Sequence, residues 1–341
     1  MQHKIKKKSH IKNLKKLTNY VEFKNKINDK EKLYILGIIA MITISLFLFQ
    51  GLNSRNWDYN LSKRIPKIIA IIVTSGSIAF SSMIFQTITN NRILTPSILG
   101  LDSLYTFCQT LSVFVFGIDS IMMTNRNINF FVSVLIMILG TIILYNCVFK
   151  KGSNVFLLLL VGTVLGTLFK SISSFMQVLI DPNDFISLQS KLFASFSSIN
   201  TDIVFISIIA LIVIWIIVRG DIKKFDVMLL GREASINLGV DHDKMSKKLL
   251  LVVAILVSIS TALVGPITFL GLLVVNLSYQ FFNTYKHTYL ISGSILISII
   301  ALVGGQFIVE RILNFSSTVS IIINFVGGLY FIYLLLKEAK A

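Results

Sequence analysis

The sequence has little charge and few of the residues on which catalysis, disulfides or metal sites depend. Only 14% of its 341 residues are charged, against roughly 25% in a soluble domain, and its mean hydropathy is +0.79. The two cysteines, Cys108 and Cys147, lie in separate apolar runs with no CxxC spacing, which predicts neither a disulfide nor a metal site. Nucleophile-elbow, HExxH and P-loop motifs are absent, so we assign no catalytic residue, metal site or bound cofactor.

Long apolar runs fill most of the chain after residue 32, so the hydrophobic surplus cannot form one core inside a polar surface. A helix needs roughly 20 apolar residues to cross about 30 Å of hydrocarbon. The longest run contains Gly265-Pro266, and we divide it there. The sequence therefore predicts an all-α integral membrane protein with about ten transmembrane helices, in the runs Leu33–Ser54, Ile68–Asn91, Ser103–Ile118, Asn127–Phe149, Gly152–Phe169, Ile203–Val218, Leu249–Tyr285 (two helices), His287–Val309 and Ile312–Leu336.

The net charge of +16 is distributed in a way that predicts membrane orientation. Residues 1–32 carry eleven lysines and three acidic residues, an arm that anionic lipid attracts and that has no nucleic-acid-binding motif. With the N-terminus inside, 24 of the 32 basic residues lie on the inner side and 7 on the outer side, which predicts that both termini are cytoplasmic. Lys170 alone lies within a span, where its side chain can snorkel outward.

We divide the chain into a basic cytoplasmic arm (1–32), a transmembrane domain (33–337) and a short cytoplasmic tail (338–341). The longest inner segment between spans contains residues 225–240, FDVMLLGREASINLGV, which mix apolar and small residues. Such a composition suits short helices that dock on a cytoplasmic partner, with Gly231 and Gly239 turning the chain. An ordinary amphipathic loop helix has a similar composition.

Five blocks in the sequence carry a resemblance to a known family. They are Arg64-Ile65-Pro66-Lys67, similar to R-x-P-R; Gln86, Asn91, Pro96 and Gly100, similar to Q-x4-N-P-x3-P-x3-G; Leu230-Gly231, Ala234 and Leu238-Gly239; Gly265, Ile267, Phe269 and Gly271, similar to G-x-I-x-F-x-G; and Gly327 with the following LYFIYLLLK. In order and position these blocks resemble the FecCD/BtuC family of ABC importer permeases for iron siderophores, haem and cobalamin. The resemblance covers residues 33–337.

The sequence departs from the family pattern at several positions. Arg92 replaces a proline, Val275-Asn276 replaces Pro-His, and Thr318 and Leu329 replace prolines near the last helix. The stretch NNRILTPSILGLDSLY is similar to a branch associated with catecholate-type siderophores. The missing prolines leave the details of helix bending open.

The resemblance implies a BtuC-like, type II ABC importer permease in the bacterial cytoplasmic membrane. It implies a second permease copy, identical or sister, two ATPase subunits that bind ATP and Mg²⁺, and an extracellular or periplasmic substrate-binding protein. Basic residues on the outer face would dock that protein, here Arg64, Lys67 and Arg311. The residues implied to couple to the ATPases are Leu230, Gly231, Arg232, Glu233, Ala234, Leu238 and Gly239.

Alternative functions remain open at this point. The cargo could be haem or cobalamin instead of a ferric siderophore, carried by the same mechanism. A secondary transporter without ATPases predicts paired ionisable residues inside the membrane, and the spans contain almost none. A membrane-embedded enzyme needs a nucleophile and base, which the sequence does not offer. We expect a broad and nearly uncharged path for the cargo, but the sequence does not identify the residues that line it.

Overall fold

The computed structural model describes residues 28–53, 57–148, 155–196 and 199–338, and in these ranges it consists of helices joined by loops. Most of the basic arm 1–32 and of the tail 338–341 lies outside the described residues. In chain order the α-helices are α1 Asp29–Phe49, α2 Trp57–Thr89, α3 Leu101–Phe116, α4 Ile121–Thr124, α5 Arg126–Val148, α6 Val155–Leu179, α7 Pro182–Leu192, α8 Thr201–Val218, α9 Ile222–Met228, α10 Arg232–Asn237, α11 His242–Val264, α12 Leu270–Phe281, α13 His287–Arg311 and α14 Val319–Glu338.

Within the described ranges, eight helices are long and apolar enough to cross a membrane: α1, α2, α5, α6, α8, α11, α13 and α14. Two shorter apolar helices, α3 and α12, bring the number to the predicted ten. At 1.5 Å per residue these two extend only about 24 and 18 Å, less than the hydrocarbon thickness of about 30 Å. The predicted all-α membrane architecture is confirmed, with two helices that are too short to cross alone.

Several predicted helix ends were wrong for the same reason. Helices α1 and α11 begin at Asp29 and His242 and not at Leu33 and Leu249. Helix α2 begins at Trp57 and not at Ile68, so Arg64 and Lys67 lie on the helix. Helix α6 continues to Leu179, well beyond the predicted end at Phe169. These predictions ended a span at a charge, but a helix bonds its own backbone whatever its side chains, so charged residues do not end it.

Helix α2 is the centre of the bundle. Of its most apolar window, 83% is buried, and it packs against α11, α13, α12 and α8. Small residues make this close packing possible, as in the stretch Thr74–Ser77, where all four residues are buried. A Cβ on Gly271 of α12 would collide with Ser82 of α2. The side chain of Ser82 therefore occupies the space that a side chain at position 271 would need, which lets α12 pack closely against α2.

The start of α3 lies directly against α6 through a backbone contact that only glycines allow. A Cβ on Gly166 would lie 2.9 Å from Cα of Gly100, and one on Gly162 would lie 2.9 Å from Cα of Leu99. Real Cβ atoms do not approach that closely, so both α6 positions require glycine. Helix α6 contacts α3, the 3₁₀ turn Pro96–Leu99 and α5, and it occupies the edge of the bundle.

The break between α11 and α12 falls at the predicted Gly265-Pro266. Gly265 has a φ of +99°, and a Cβ there would lie 2.9 Å from Cα of Ala194. The chain runs without helix until α12, and the side-chain oxygen of Asn324 accepts the backbone N–H of Phe269 at 3.3 Å. This break is why α12 is short.

The contacts at the helix ends define two sides of the bundle. Segment 219–241, loop 90–95, loop 282–286 and the start of α1 lie together, and we call this the coupling side. The end of α1 and the loop after α13 meet on the opposite side. Each predicted site therefore lies on one side only, the coupling segment on the first and the basic residues on the second.

Candidate functional sites: the coupling segment and the opposite basic cluster

The coupling segment folds as two short helices, α9 and α10, joined at a glycine. Gly231 has a φ of +91°, in the left-handed region that favours glycine, and it precedes α10. Ser235 fastens the two helices together, because its buried Oγ donates to the carbonyl of Val227 at 3.0 Å and to that of Gly231 at 2.6 Å. Gly239, with a φ of +84°, follows α10. The predicted turning role of both glycines is confirmed.

The outward surface of this segment is apolar where a loop in water would be polar. Leu230 is 62% exposed, Leu238 61% and Ile236 47%, although all three are large hydrophobic residues. Ala234 is half-buried between them, and Arg232 and Glu233 are exposed. An exposed group of leucine and isoleucine side chains rimmed by charges is typical of a protein-docking surface.

Arg232 has a partner within the chain. Its Nε and Nη2 contact the two carboxylate oxygens of Asp243 at 3.1 and 2.9 Å, a bidentate pair in which both residues are about half exposed. Hydrogen bonding to Asp243 raises the pKa of the Arg232 guanidinium above its usual value. This pair ties α10 to the first turn of α11.

A buried polar cluster connects the segment to the transmembrane helices. Oδ1 of Asp226, on α9, accepts the backbone N–H of His287 at 2.8 Å and lies 2.7 Å from its Nδ1. The other ring nitrogen, Nε2, lies 2.8 Å from Oγ1 of Thr87, near the end of α2. His287 is fully buried, and its ring meets that of Phe225 edge-on. One imidazole thus links α9, α13 and α2.

The three basic residues predicted for docking lie in one cluster on the opposite side, but they differ in exposure. Arg64 is buried, and its Nη1 donates to the carbonyls of Leu48 at 2.6 Å and Gln50 at 2.9 Å, which end α1. A guanidinium suits this position because the last carbonyls of a helix lack partners. The structure gives Arg64 a capping role, and its docking role stays a prediction.

Lys67 and Arg311 flank Arg64. Nζ of Lys67 lies 2.8 Å from Oε1 of Glu310, and both side chains are largely buried. Arg311 is exposed, and its Nη2 donates to the carbonyl of Gln50 at 3.0 Å. Of the three predicted docking residues, Arg311 has the side chain best placed to reach a partner. The docking roles of Lys67 and Arg311 stay predictions.

Two departures from the family pattern contact each other on the coupling side. Nδ2 of Asn276 donates to the backbone carbonyl of Arg92 at 2.8 Å. The guanidinium of Arg92 lies 4.5 Å from the centre of the Tyr279 ring, a cation–π contact. The two replacements therefore form one local unit that joins the loop after α2 to α12.

Sequence reasoning missed Thr87, Asp226, Ile236 and His287. Asp226 lies within the predicted segment 225–240, where all the other residues of the stretch 225–230 are apolar, and a carboxylate in such surroundings was a signal of a polar partner. The partner could not be found, because His287 lies 61 residues further along the chain.

Comparison with known proteins agrees with the helical membrane fold described above. Residues 33–337 match the sequence model of the FecCD transport family. The chain belongs to the FecCD transport family. This FecCD chain is 59% identical over 316 residues to the petrobactin import system permease protein YclO of Bacillus subtilis (strain 168), covering 92% of this chain and 100% of the relative. It is 34% identical over 315 residues to the petrobactin import system permease protein FatC of Bacillus anthracis, covering 89% of each.

The fold of this FecCD chain is also found among solved structures. A chain from a metal-chelate type ABC transporter in an inward-facing conformation superposes with a TM-score of 0.79. The match covers 91% of this chain and 100% of the other at 20% identity. The permease fold that the sequence predicted is confirmed.

Proposed function

We propose that this chain is the membrane-spanning permease subunit of an ATP-driven importer for ferric siderophores, with petrobactin-type chelates as its cargo. The observation that carries the proposal is the 59% identity over the full length of a petrobactin import permease. The chain supplies the path, and ATP with Mg²⁺ binds on separate ATPase subunits. A haem or cobalamin cargo is the alternative that the experiment below distinguishes.

In this proposal the coupling side faces the cytoplasm, which places both termini inside. The support is the charge asymmetry, with seven basic residues in 219–248 alone. An ATPase would bury the exposed Leu230, Ile236 and Leu238 in a cleft of its own. Two ATPases and a second permease copy, identical or sister, would complete the assembly.

The buried histidine cluster gives this docking a mechanical consequence. A push on α10 reaches α9 through Ser235, and α9 is hydrogen-bonded to the start of α13 through Asp226 and His287. Because His287 also contacts Thr87, the same push reaches the end of α2, the central helix. Closure of the ATPases on ATP would thereby tilt the core helices.

On the opposite side, Arg311 would meet an acidic residue on the substrate-binding protein. A guanidinium holds a carboxylate with two parallel hydrogen bonds, which fixes orientation as well as affinity. Arg64 and Lys67 would support it, Arg64 by holding the end of α1 and Lys67 through Glu310. A charge reversal at Arg311 is therefore expected to weaken docking of the binding protein.

Complementation tests the proposed function directly. A Bacillus subtilis strain lacking YclO receives this chain, and uptake of radiolabelled ferric petrobactin, haem and cobalamin is measured together with co-purification of the ATPase. We expect ferric petrobactin uptake to return, with no gain for haem or cobalamin. An assembled complex without ferric petrobactin uptake, or a chain that binds no ATPase, contradicts the proposal.

A matched pair of variants tests the docking surface in the same strain. Leu238→Asp places a charge in the apolar patch and is expected to abolish ATPase co-purification and uptake. Asn237→Asp, on the exposed neighbouring residue, adds the same charge outside the patch and serves as the control. Since both side chains are exposed, membrane levels of the two variants should match the wild type.

A further inference from the structure

Helix α6 has three distinct faces. One packs against the bundle through Gly162, Gly166, Ser173 and Met176. A second is exposed and apolar, with Val164, Leu168, Ile172 and Phe175. A third is exposed and polar, and at 100° per residue it covers about 100° of the circumference. Between residues 163 and 174 this polar face consists of Thr163, Thr167, Lys170, Ser171 and Ser174, all of them exposed. The exposed Leu160 and Val178 lie on the same side of the helix, one beyond each end of the polar face.

Lys170 lies deep along this helix. It lies nine residues before the end of α6 and fifteen after its start, about 13 and 22 Å from the two ends. Its own side chain extends only about 6 Å. A helical Cα–Cβ bond points toward the helix N-terminus, which here is the more distant end. The predicted snorkelling of Lys170 to the nearer surface is therefore disfavoured by the geometry.

Lipid is a poor environment for the polar face. Lys170 forms no ion pair with a carboxylate in the part of the chain that the structure describes. The hydroxyls of Thr163 and Thr167 donate to carbonyls of their own helix, at 2.8 Å each, which lipid would tolerate. An unpaired ammonium in hydrocarbon is costly, and such residues face a bundle interior or a water-filled cavity. The polar face therefore indicates an aqueous space beside α6.

We infer that the polar face of α6 lines the path of the cargo, and that Lys170 is the contact that selects a negatively charged metal chelate. The inference rests on the proposed function and adds the charge of the cargo to it. Oxygen ligands hold a hard ferric ion as anions, so many such complexes retain negative charge. The ammonium of Lys170 attracts that charge, and the hydroxyls of Ser171 and Ser174 can donate to the same oxygens.

Lys170 provides a fixed charge where we expected a nearly uncharged path. A lysine is a flexible point charge with three donors, so it attracts an anion without holding it in one geometry. That property suits transit better than tight binding, because a cargo in motion must also leave. In this proposal the path contains one cation among hydroxyls, in contrast to the nearly uncharged path that we expected from the sequence.

The first test asks whether the polar face meets water. In a chain with Cys108→Ser and Cys147→Ala, single cysteines are placed at Thr167, Ser174, Leu168 and Phe175. A membrane-impermeant thiosulfonate is then applied to the assembled transporter during ATP turnover. We expect labelling at 167 and 174, slowed by ferric petrobactin, and none at 168 and 175. Equal labelling of the two faces, or no labelling of either, overturns the inference.

The second test changes the charge of Lys170 in the complementation strain. Relative to wild type, Lys170→Arg should keep uptake of ferric petrobactin, Lys170→Gln should lower it about tenfold, and Lys170→Glu should lower it further. Tenfold is the factor expected when one charge-assisted hydrogen bond is lost. Membrane level and co-purification of the ATPase should match the wild type in all three, which shows that the variants fold and assemble. A lysine with a purely structural role would not produce this order by charge.

The outcomes separate the two proposals. Absence of uptake in the wild type removes the proposed function, whatever the variants do. Wild-type uptake with equal activity in the three folded variants removes the role of Lys170 and leaves the proposed function intact.

Discussion

Helices α6 and α8 are buried to the same extent, yet their exposed surfaces differ. In each, 28% of the most apolar window is buried. The exposed residues of α8 beyond its first turn are all large and apolar, namely Phe205, Ile209, Ile212, Val213, Trp215, Ile216 and Ile217. Those of α6 include the polar face around Lys170. Hydropathy identifies both as membrane helices, and only the arrangement of the exposed residues indicates which solvent each face meets.

The largest expected loss of stability comes from placing a lysine on the exposed apolar face of α8, in comparison with a lysine on the polar face of α6. Ile212→Lys puts an ammonium near the middle of α8 on its exposed apolar face, and we expect a loss of stability of about 3 kcal/mol. Thr163→Lys adds the same charge to the polar face of α6 and should cost far less. Unfolding in lipid nanodiscs measures both. Equal losses would show that the two faces meet the same solvent and would remove the contrast between the helices.

A smaller loss of stability is expected from disturbing the glycine contact that holds α6 against the start of α3. Gly166→Ala places a Cβ against the backbone of Gly100, and we expect a loss of about 2 kcal/mol in unfolding free energy. Gly37→Ala in α1 is the matched control, because nothing lies within 4 Å of a Cβ there. It should leave stability unchanged or raise it slightly. If both variants behave alike, the α3–α6 contact does not position α6.

The smallest expected loss of stability comes from removing the carboxylate of Asp226 on α9, the helix that follows α8. Asp226→Ala on α9 leaves the buried N–H groups of His287 without their acceptor, and we expect a loss of about 1.5 kcal/mol together with loss of uptake. Asp226→Asn keeps an acceptor oxygen and should retain most of both. Thermal unfolding measures the stability. The ratio of cargo moved to ATP hydrolysed measures the effect on uptake.

Lys223→Ala, on an exposed residue of the same helix, serves as the control for Asp226 and should change stability by less than about 0.5 kcal/mol. If the Asp226→Ala variant still takes up cargo at the wild-type ratio of cargo moved to ATP hydrolysed, α9 does not transmit force through His287.

Much of the fold could be predicted because its main signal is local. Each apolar run between charges gave one helix, except the run Leu249–Tyr285, in which Gly265-Pro266 marked the break between α11 and the short α12. The two glycines of the coupling segment gave the ends of its short helix. These features depend on neighbouring residues alone, so no knowledge of packing was required.

The sites could be predicted only in part. The sequence placed Arg64 on the outer face as a docking residue, and the structure shows that its guanidinium is buried against the end of α1. It left His287 without a role, because its partners Asp226 and Thr87 lie 61 and 200 residues away in the chain. It predicted that Lys170 snorkels outward from a helix that ended at Phe169, and in the structure that helix extends to Leu179. Each of these points concerns what a side chain faces.

The sequence by itself determined that the chain is a bundle of about ten apolar helices, with a basic segment between the sixth and seventh, because hydrocarbon accepts only self-bonded backbone. The tertiary structure decided which polar groups are buried in pairs and which remain exposed. Side-chain solvation depends on neighbours distant in sequence, and so the partners of His287 and the exposure of Lys170 follow only from the packed helices.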